Sequence, residues 1–364
     1  MNNEGIEYIS VDLGYGFVKA ISSNGKRVIF PALIGEGYDG GLNMGNVIGF
    51  GNDKEFQDDD IQVQVDGKIY NIGNSASSTD NITRNFNKQD RFNAETTKIL
   101  INVAIQLVSD NKCNKVYLLT GLPLDFYAAQ SKNFAESMNG EQMAVKWLSG
   151  ENKGETFKKE IVQTLVFPQG ASAIMSATVN HEGRNLYADL MDQGNMFALI
   201  DVGFRTTDYI VVEVMKNGAF APIIKLSGTY DKGVIDLRNA LKMYFKGQTG
   251  GAELKDRLID SKLLNKENPS KKITYNSEPI DFAPIINEKK SAIANDIADH
   301  LRQLWKDESS FFAKIFLAGG GGDLYEEWLK KNFKGLQKVN EYQFANAIGY
   351  LRMGKAILRK KEVV

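Results

Sequence analysis

The feature that most constrains the fold of this chain is a repeat. EYISVDL, residues 7–13, is an apolar run ending at Asp12 and followed by Gly14 and Gly16; FVKAI resumes β character at 17–21, and Asn24-Gly25 supplies a hairpin signal before KRVIF. The same order returns in the second half. MFALIDVG, residues 196–203, ends in Asp201-Val202-Gly203, and Thr206-Thr207-Asp208 leads into YIVVEVM with a second Asn-Gly turn at 217–218. A strand, an acidic glycine turn, a second strand and an Asn-Gly turn, met twice, predict two related domains facing one cleft.

Length agrees with that expectation, because 364 residues exceed what one hydrophobic core usually supports. With 43% apolar and 24% charged residues the composition is that of a globular protein. The 44 basic and 45 acidic side chains leave a net charge of -1, which provides no general attraction to DNA or anionic lipid. One cysteine, Cys113, excludes a disulfide framework or thiolate metal cluster, and His181 and His300, far apart in sequence and without cysteine ligands, do not suggest zinc. Trp147, Trp305 and Trp328 read as packing residues. Neither a secretory leader nor a bilayer-length apolar stretch is present in the sequence, so a cytoplasmic location and no membrane partner are expected.

Between the repeats, helical periodicity runs over 93–108, a strand over 116–120 ends at Gly121, and a helix follows over 126–138. Residues 35–60 form a polar excursion, and Asp66-Gly67 marks a hairpin within 61–72. Residues 233–264 read mostly as helices, 265–290 as a polar, proline-interrupted region, and 291–307 as an amphipathic helix. At 311–330 a buried strand, four glycines and a helix follow in order, and a helix over 340–358 closes the pattern. Helices feeding strands that end in glycine predict an α/β layer architecture.

The two acidic turns can carry chemistry. In DLGYGFVK, a strand turning sharply through Leu13, Gly14, Tyr15 and Gly16 aims backbone N–H groups into a concavity suited to phosphate oxygens. Lys19 adds a mobile positive charge, and Asp12 is a hard oxygen ligand for Mg2+, directly or through water. An ordinary hairpin explains this segment taken alone. DVGFRTTD adds Asp201 as a second carboxylate and the hydroxyls of Thr206 and Thr207 as phosphate donors, with turn capping as their alternative role. Gly319, Gly320, Gly321 and Gly322 allow close approach of backbone to a planar ligand or phosphate just before a helix N-terminus. Gln169, in PQGASA, has an amide able to orient water but too weak to act as a strong base; a surface-facing side chain is its alternative. The P-loop and dinucleotide-binding patterns are absent.

Asp12–Lys19, Gln169, Asp201–Asp208 and Gly319–Gly322 resemble the phosphate 1, connect 1, phosphate 2 and adenosine motifs of the actin, sugar-kinase and heat-shock-chaperone ATPase superfamily. DLGYGFVK, TGLPLDFY at 120–127 and DVGFRTTD most resemble plasmid-segregation actins of the ParM/StbA type and their archaeal relatives. The resemblance implies an α/β actin-like two-domain ATPase fold with duplicated mixed-sheet cores, each carrying a smaller subdomain. Subdomain IA is then 1–34, 95–168 and 340–364; IB is 35–94; IIA is 169–232 and 301–339; IIB is 233–300. It places Asp12 and Asp201 near Mg2+ and its waters, Gly14–Gly16 and Lys19 on phosphate, and Gly203, Phe204, Arg205, Thr206 and Thr207 on the opposite phosphate side. Gly233 and Asp236 would form the nucleotide-facing start of subdomain IIB, with Asp236 contacting the ribose, Glu253 the base or ribose, and Gly319–Gly321 adenosine. Gln169 stands where segregation actins often carry glutamate, which puts general-base assistance in question.

The function implied by the resemblance is Mg2+-dependent ATP hydrolysis, with GTP as the alternative nucleotide and ADP as product. Turnover would be coupled to head-to-tail filaments that segregate plasmid or other DNA through an adaptor protein bound to centromere-like DNA, without direct specific nucleic-acid binding. A nucleotide-binding scaffold that does not polymerise and a small-molecule kinase are the competing readings; the kinase would need a positioned carboxylate base beside the transferred phosphate.

Overall fold

The computed structural model describes residues 5–37, 60–78, 82–84, 94–182 and 184–362. The polar excursion expected over 35–60 lies almost entirely outside them. The first sheet grows from β1, Ile6–Leu13, whose last five residues are all buried. Continuous burial is what a strand covered on both faces requires. β1 pairs antiparallel with β2, Phe17–Ser22, which pairs antiparallel with β3, Arg27–Pro31. The expected Asn24-Gly25 turn joins them, with Gly25 at φ +88°.

A second sheet, built of shorter strands, takes β4 (Leu33–Glu36), β5 (Asp60–Val65), β6 (Lys68–Gly73) and β7 (Ile82–Arg84). Asp66 and Gly67 both have positive φ, 48° and 78°, as a two-residue type I′ hairpin demands. Helix α1, Glu95–Val108, buries Ile99, Leu100, Val103 and Ala104 and leads to β8, Lys115–Leu122, which lies parallel to β1. Helix α2, Leu124–Met138, follows. β9, Ala144–Trp147, and β10, Thr156–Lys158, then join the second sheet beside β5, where Trp147 is 2% exposed and donates its indole N–H to Gln106 Oε1 at 3.1 Å. β11, Glu160–Pro168, returns parallel to β8 and runs into α3, Ala171–Thr178.

The second half repeats this construction. β12, Met196–Val202, pairs antiparallel with β13, Thr207–Val214, which pairs antiparallel with β14, Phe220–Pro222. β15, Gly228–Tyr230, adds to β13. Helix α4, Val234–Gln248, precedes a hairpin of β16 (Lys272–Tyr275) and β17 (Glu278–Asp281), turned at Asn276 and Ser277 with positive φ. Helix α5, Ala283–Trp305, then leads to β18, Phe312–Ala318, parallel to β12. Helix α6, Gly322–Asn332, leads to β19, Leu336–Lys338, parallel to β18. The two principal sheets therefore share one plan, β11-β8-β1-β2-β3 and β19-β18-β12-β13-β14, with two parallel and two antiparallel neighbours in the same sequence.

Two boundaries differ from expectation: the closing helix, expected from 340, begins at Ala345 after a short 3-10 turn over Tyr342–Phe344, and the helix expected from 291 starts earlier. α5 begins at Ala283 rather than near 291. Its buried face steps from Ile286 directly to Ile293, and the intervening Asn-Glu-Lys-Lys hides the period. Pro284 suits the first turn, where its missing N–H costs no intrahelical bond.

The chain separates into two compact units, one formed by residues up to Ser176 together with the C-terminal segment from Asn346, the other by Arg184–Ala345 with Ala177–Asn180. The C-terminal helix, Ala345–Glu362, packs Tyr350 and Leu358 with Leu119 and Phe167 of the first unit.

Candidate functional site

In the first unit, the antiparallel ladder sets Asp12 of β1 opposite Lys19 of β2. The turn between them closes with Gly14 N–H donating to Phe17 O at 3.0 Å, and Gly16 O accepts from Ala32 N–H at 2.9 Å. Leu13 is buried beneath the turn, while Gly14, Tyr15 and Gly16 are half-buried. The Asp12 carboxylate is 4% exposed and lies between two polar neighbours: Lys19 Nζ is 3.7 Å from Oδ2, and Gln169 Nε2 donates to Oδ1 at 3.1 Å. Gln169 reaches Asp12 because β11 ends at Pro168 two strands away in the same sheet, and its N–H is fixed to Leu122 O at 2.9 Å. With the amide nitrogen committed to Asp12, the side-chain oxygen Oε1 is the end suited to accept a hydrogen bond from water.

In the second unit, Asp201 and Asp208 are paired across β12 and β13, and the turn closes in the same way, Gly203 N–H donating to Thr206 O at 2.8 Å. Asp201 is 8% exposed. The start of α4 grips this turn from one side. Val234 N–H donates to Gly203 O at 3.2 Å and Ile235 N–H to Phe204 O at 2.7 Å. Gly233 is required by close approach: a Cβ there would fall 2.6 Å from Phe204 O, a backbone atom with no room to yield. From the other side the glycine run closes over Asp201. Gly319 has φ +85°, and any Cβ would collide with Asp201 Oδ1 and Val202 O. Gly321 N–H donates to Val202 O at 2.8 Å, whereas Gly320 faces open space. The floor thus combines a buried carboxylate with bare backbone, which a flat or anionic ligand can approach closely.

The structure brings Asp12, Gly14–Gly16, Lys19 and Gln169 together in one unit, and Asp201, Gly203–Thr207, Gly233, Asp236 and Gly319–Gly321 together in the other. Two of these side chains hold the site's own backbone. Thr207 Oγ1 donates to Lys232 O at 2.8 Å and is fully buried, and Asp236 Oδ2 accepts from Gly233 N–H at 2.9 Å as the N-terminal cap of α4. Glu253 stands apart: it is exposed and follows the Gly250–Gly251 turn beyond the C-terminal end of α4, the end opposite Gly233 and Asp236. Sequence reasoning missed Asn346, whose Oδ1 accepts from buried Gly170 N–H at 2.9 Å and so fixes the backbone beside Gln169. It also missed Tyr325, which donates to Gly233 O at 3.3 Å and whose hydroxyl burial pushes well above its usual pKa. Neither residue carries a local sequence signal, since each meets its partner only through tertiary structure.

Comparison with known proteins decides the family. Residues 10–171 match the family described as actin like proteins N terminal domain, and residues 199–331 match the archaeal actin homologue MreB-like C-terminal family. The chain belongs to the actin-like ATPase superfamily. Each acidic turn lies inside one matched segment, with Gln169 in the first and Gly319–Gly321 in the second. An archaeal actin homolog of Thermoplasma volcanium is 24% identical over 349 residues, covering 94% of this chain and 97% of the relative. Among solved structures, a 15-stranded ParM filament from Clostridium botulinum is 28% identical with a TM-score of 0.80, covering 97% of this chain and 99% of that one. An archaeal actin homolog in complex with ADP, 22% identical with a TM-score of 0.75, covers 96% of this chain and 99% of its own, and shares the actin-like fold. The duplicated mixed sheets of this chain are that fold. No helix among the described residues is long and apolar enough to cross a membrane.

Proposed function

We propose that this actin-like protein binds Mg2+-ATP, hydrolyses it, and couples turnover to head-to-tail filaments that segregate plasmid or other DNA in the cytoplasm through an adaptor on centromere-like DNA. The observation that carries the reading is the pair of acidic turns, each closed by the same glycine N–H bond and each at the same place in a duplicated sheet. Relatedness to ParM, one of whose structures is a filament, supports the assembly part.

The donor set fits magnesium. Asp12 and Asp201 are both buried carboxylates, and Mg2+ is usually held by one or two carboxylates together with substrate phosphates and water. Asp12 and Asp201 would hold it, directly or through water; the ion supplies charge neutralisation on the phosphate oxygens. Lys19, 12% exposed and already beside Asp12, neutralises phosphate charge when its ammonium turns from that carboxylate. Backbone N–H groups of both turns and of the glycine floor orient the nucleotide. Gln169 Oε1 orients the attacking water, and because an amide takes up no proton, rate enhancement comes from positioning and electrostatics.

The test is simultaneous light scattering and phosphate release after adding Mg2+-ATP, or Mg2+-GTP in a parallel series, with Asp201→Ala alongside and a thermal melt to establish that the variant is folded. Rising scattering followed by phosphate release in the native protein alone supports the proposal. Phosphate release without scattering at high protein concentration overturns the filament part, and no response to either nucleotide overturns the whole.

A further inference from the structure

Arg238 takes no part in the nucleotide reading above, yet it touches the second acidic turn. It lies one helical turn beyond Val234 on α4, so it projects from the face whose first N–H groups grip Gly203 and Phe204. Its guanidinium carbon is 4.7 Å from the centroid of the Phe204 ring, and its side chain is 12% exposed. The guanidinium edge is engaged elsewhere: Nη2 bonds Asp260, and Nη1 lies 4.0 Å from Asp256, a carboxylate that Lys242 also contacts. Asp256 and Asp260 lie in the 256–264 segment, which is anchored in the core by Ile259 and Leu263, both buried. One planar cation therefore joins the tip of the turn, the first turns of α4 and the 256–264 segment.

We propose that Arg238 is a positioning residue for the phosphate-facing turn Gly203–Thr206, holding Phe204 by its face while its edge is held by Asp256 and Asp260. The proposal rests on the nucleotide reading for its catalytic consequence, but its structural content is independent of it. Backbone donors act on a transferring phosphate only when held to within about an ångström, whereas ground-state nucleotide binding draws on many contacts and tolerates a looser turn. Arg238 should therefore act on turnover more than on affinity. Lysine keeps the charge but loses both the planar stacking surface and the fork, so Arg238→Lys isolates geometry from charge.

The experiment uses the full chain as native, Arg238→Lys and Phe204→Leu proteins. Steady-state hydrolysis of Mg2+-ATP is measured with a thermal melt of each protein, and amide hydrogen exchange of a peptide covering 203–207 is measured without nucleotide. Arg238→Lys is expected to exchange faster at 203–207, to lower kcat about tenfold and to leave KM within about twofold, with a native-like melt. Phe204→Leu, which leaves the charges in place, should move exchange and kcat the same way. Unchanged exchange in both variants overturns the proposal, as does faster exchange with unaltered kcat. A native protein that neither binds nor hydrolyses nucleotide overturns the function proposed above, while the exchange measurement still decides whether Arg238 holds the turn.

Discussion

Asp323 shows what one residue beside the glycine floor contributes. It is the second residue of α6, and its carboxylate accepts from Lys338 at 2.5 Å, from Lys266 at 2.9 Å and from the Tyr342 hydroxyl. Burial alone would raise its pKa, but the hydrogen bonds from Lys338, Tyr342 and Lys266 outweigh burial and hold it at about 2. A depressed carboxyl stabilises the fold fully above its unfolded value, about 4, and the contribution fades as pH falls towards 2. Urea unfolding across pH 5 to 2 should therefore show the native protein losing about 2 kcal/mol that Asp323→Asn, already weaker at pH 5, does not lose. Parallel pH dependences would refute this. None of it was legible in the sequence, because Lys266, Asp323, Lys338 and Tyr342 meet only through tertiary structure. Asp12, Gly14, Asp201 and Gly203 were legible as a pattern, since a strand end, a carboxylate and a glycine turn are adjacent along the chain. The pattern left two roles open for Thr207 and gave Asp236 a ligand-facing one only through resemblance; in the structure both side chains bind the chain's own backbone.

Elements obey the same division between local and distant causes. Hairpins announced by Asn24-Gly25, Asp66-Gly67 and Asn217-Gly218 are all present, because two residues with the right backbone freedom decide a two-strand ribbon. The pairing of β5 with β9 was invisible; it joins residues such as Val63 and Trp147 through no local signal. At the junction of β18 and α6 the local and distant causes coincide. Gly319 needs a positive φ, a local demand, and must also pass over Asp201, a tertiary one. Gly319→Ala should therefore cost more than the roughly 1 kcal/mol of left-handed strain alone, since the added methyl has to displace a buried carboxylate or β12 backbone. Gly320→Ala, which meets open space, should leave the thermal midpoint within about a degree or two of the native protein. Comparable melting of the two variants would show that the junction is looser than its geometry implies.

At the scale of the whole molecule, charge separates two ways in which the protein could act on DNA. A chain that neutralised several phosphates directly would need basic side chains gathered on one face, and its binding would weaken steeply with salt as counterions are taken up again. Here 44 basic residues face 45 acidic ones, and many lysines are already engaged: Lys266 and Lys338 with Asp323, Lys232 with Asp296, Lys98 with Glu141. A net charge of -1 also places little long-range repulsion in the way of self-association. The proposed division of labour, in which this protein assembles and an adaptor reads DNA, is compatible with that balance. Fluorescence anisotropy with a labelled duplex at about 0.15 M salt should accordingly detect no saturable binding by this protein alone, with or without Mg2+-ATP, at concentrations where scattering reports assembly. Saturable binding whose logarithm falls linearly with the logarithm of salt concentration, with a slope of several, would instead assign DNA contact to this chain and remove the need for an adaptor.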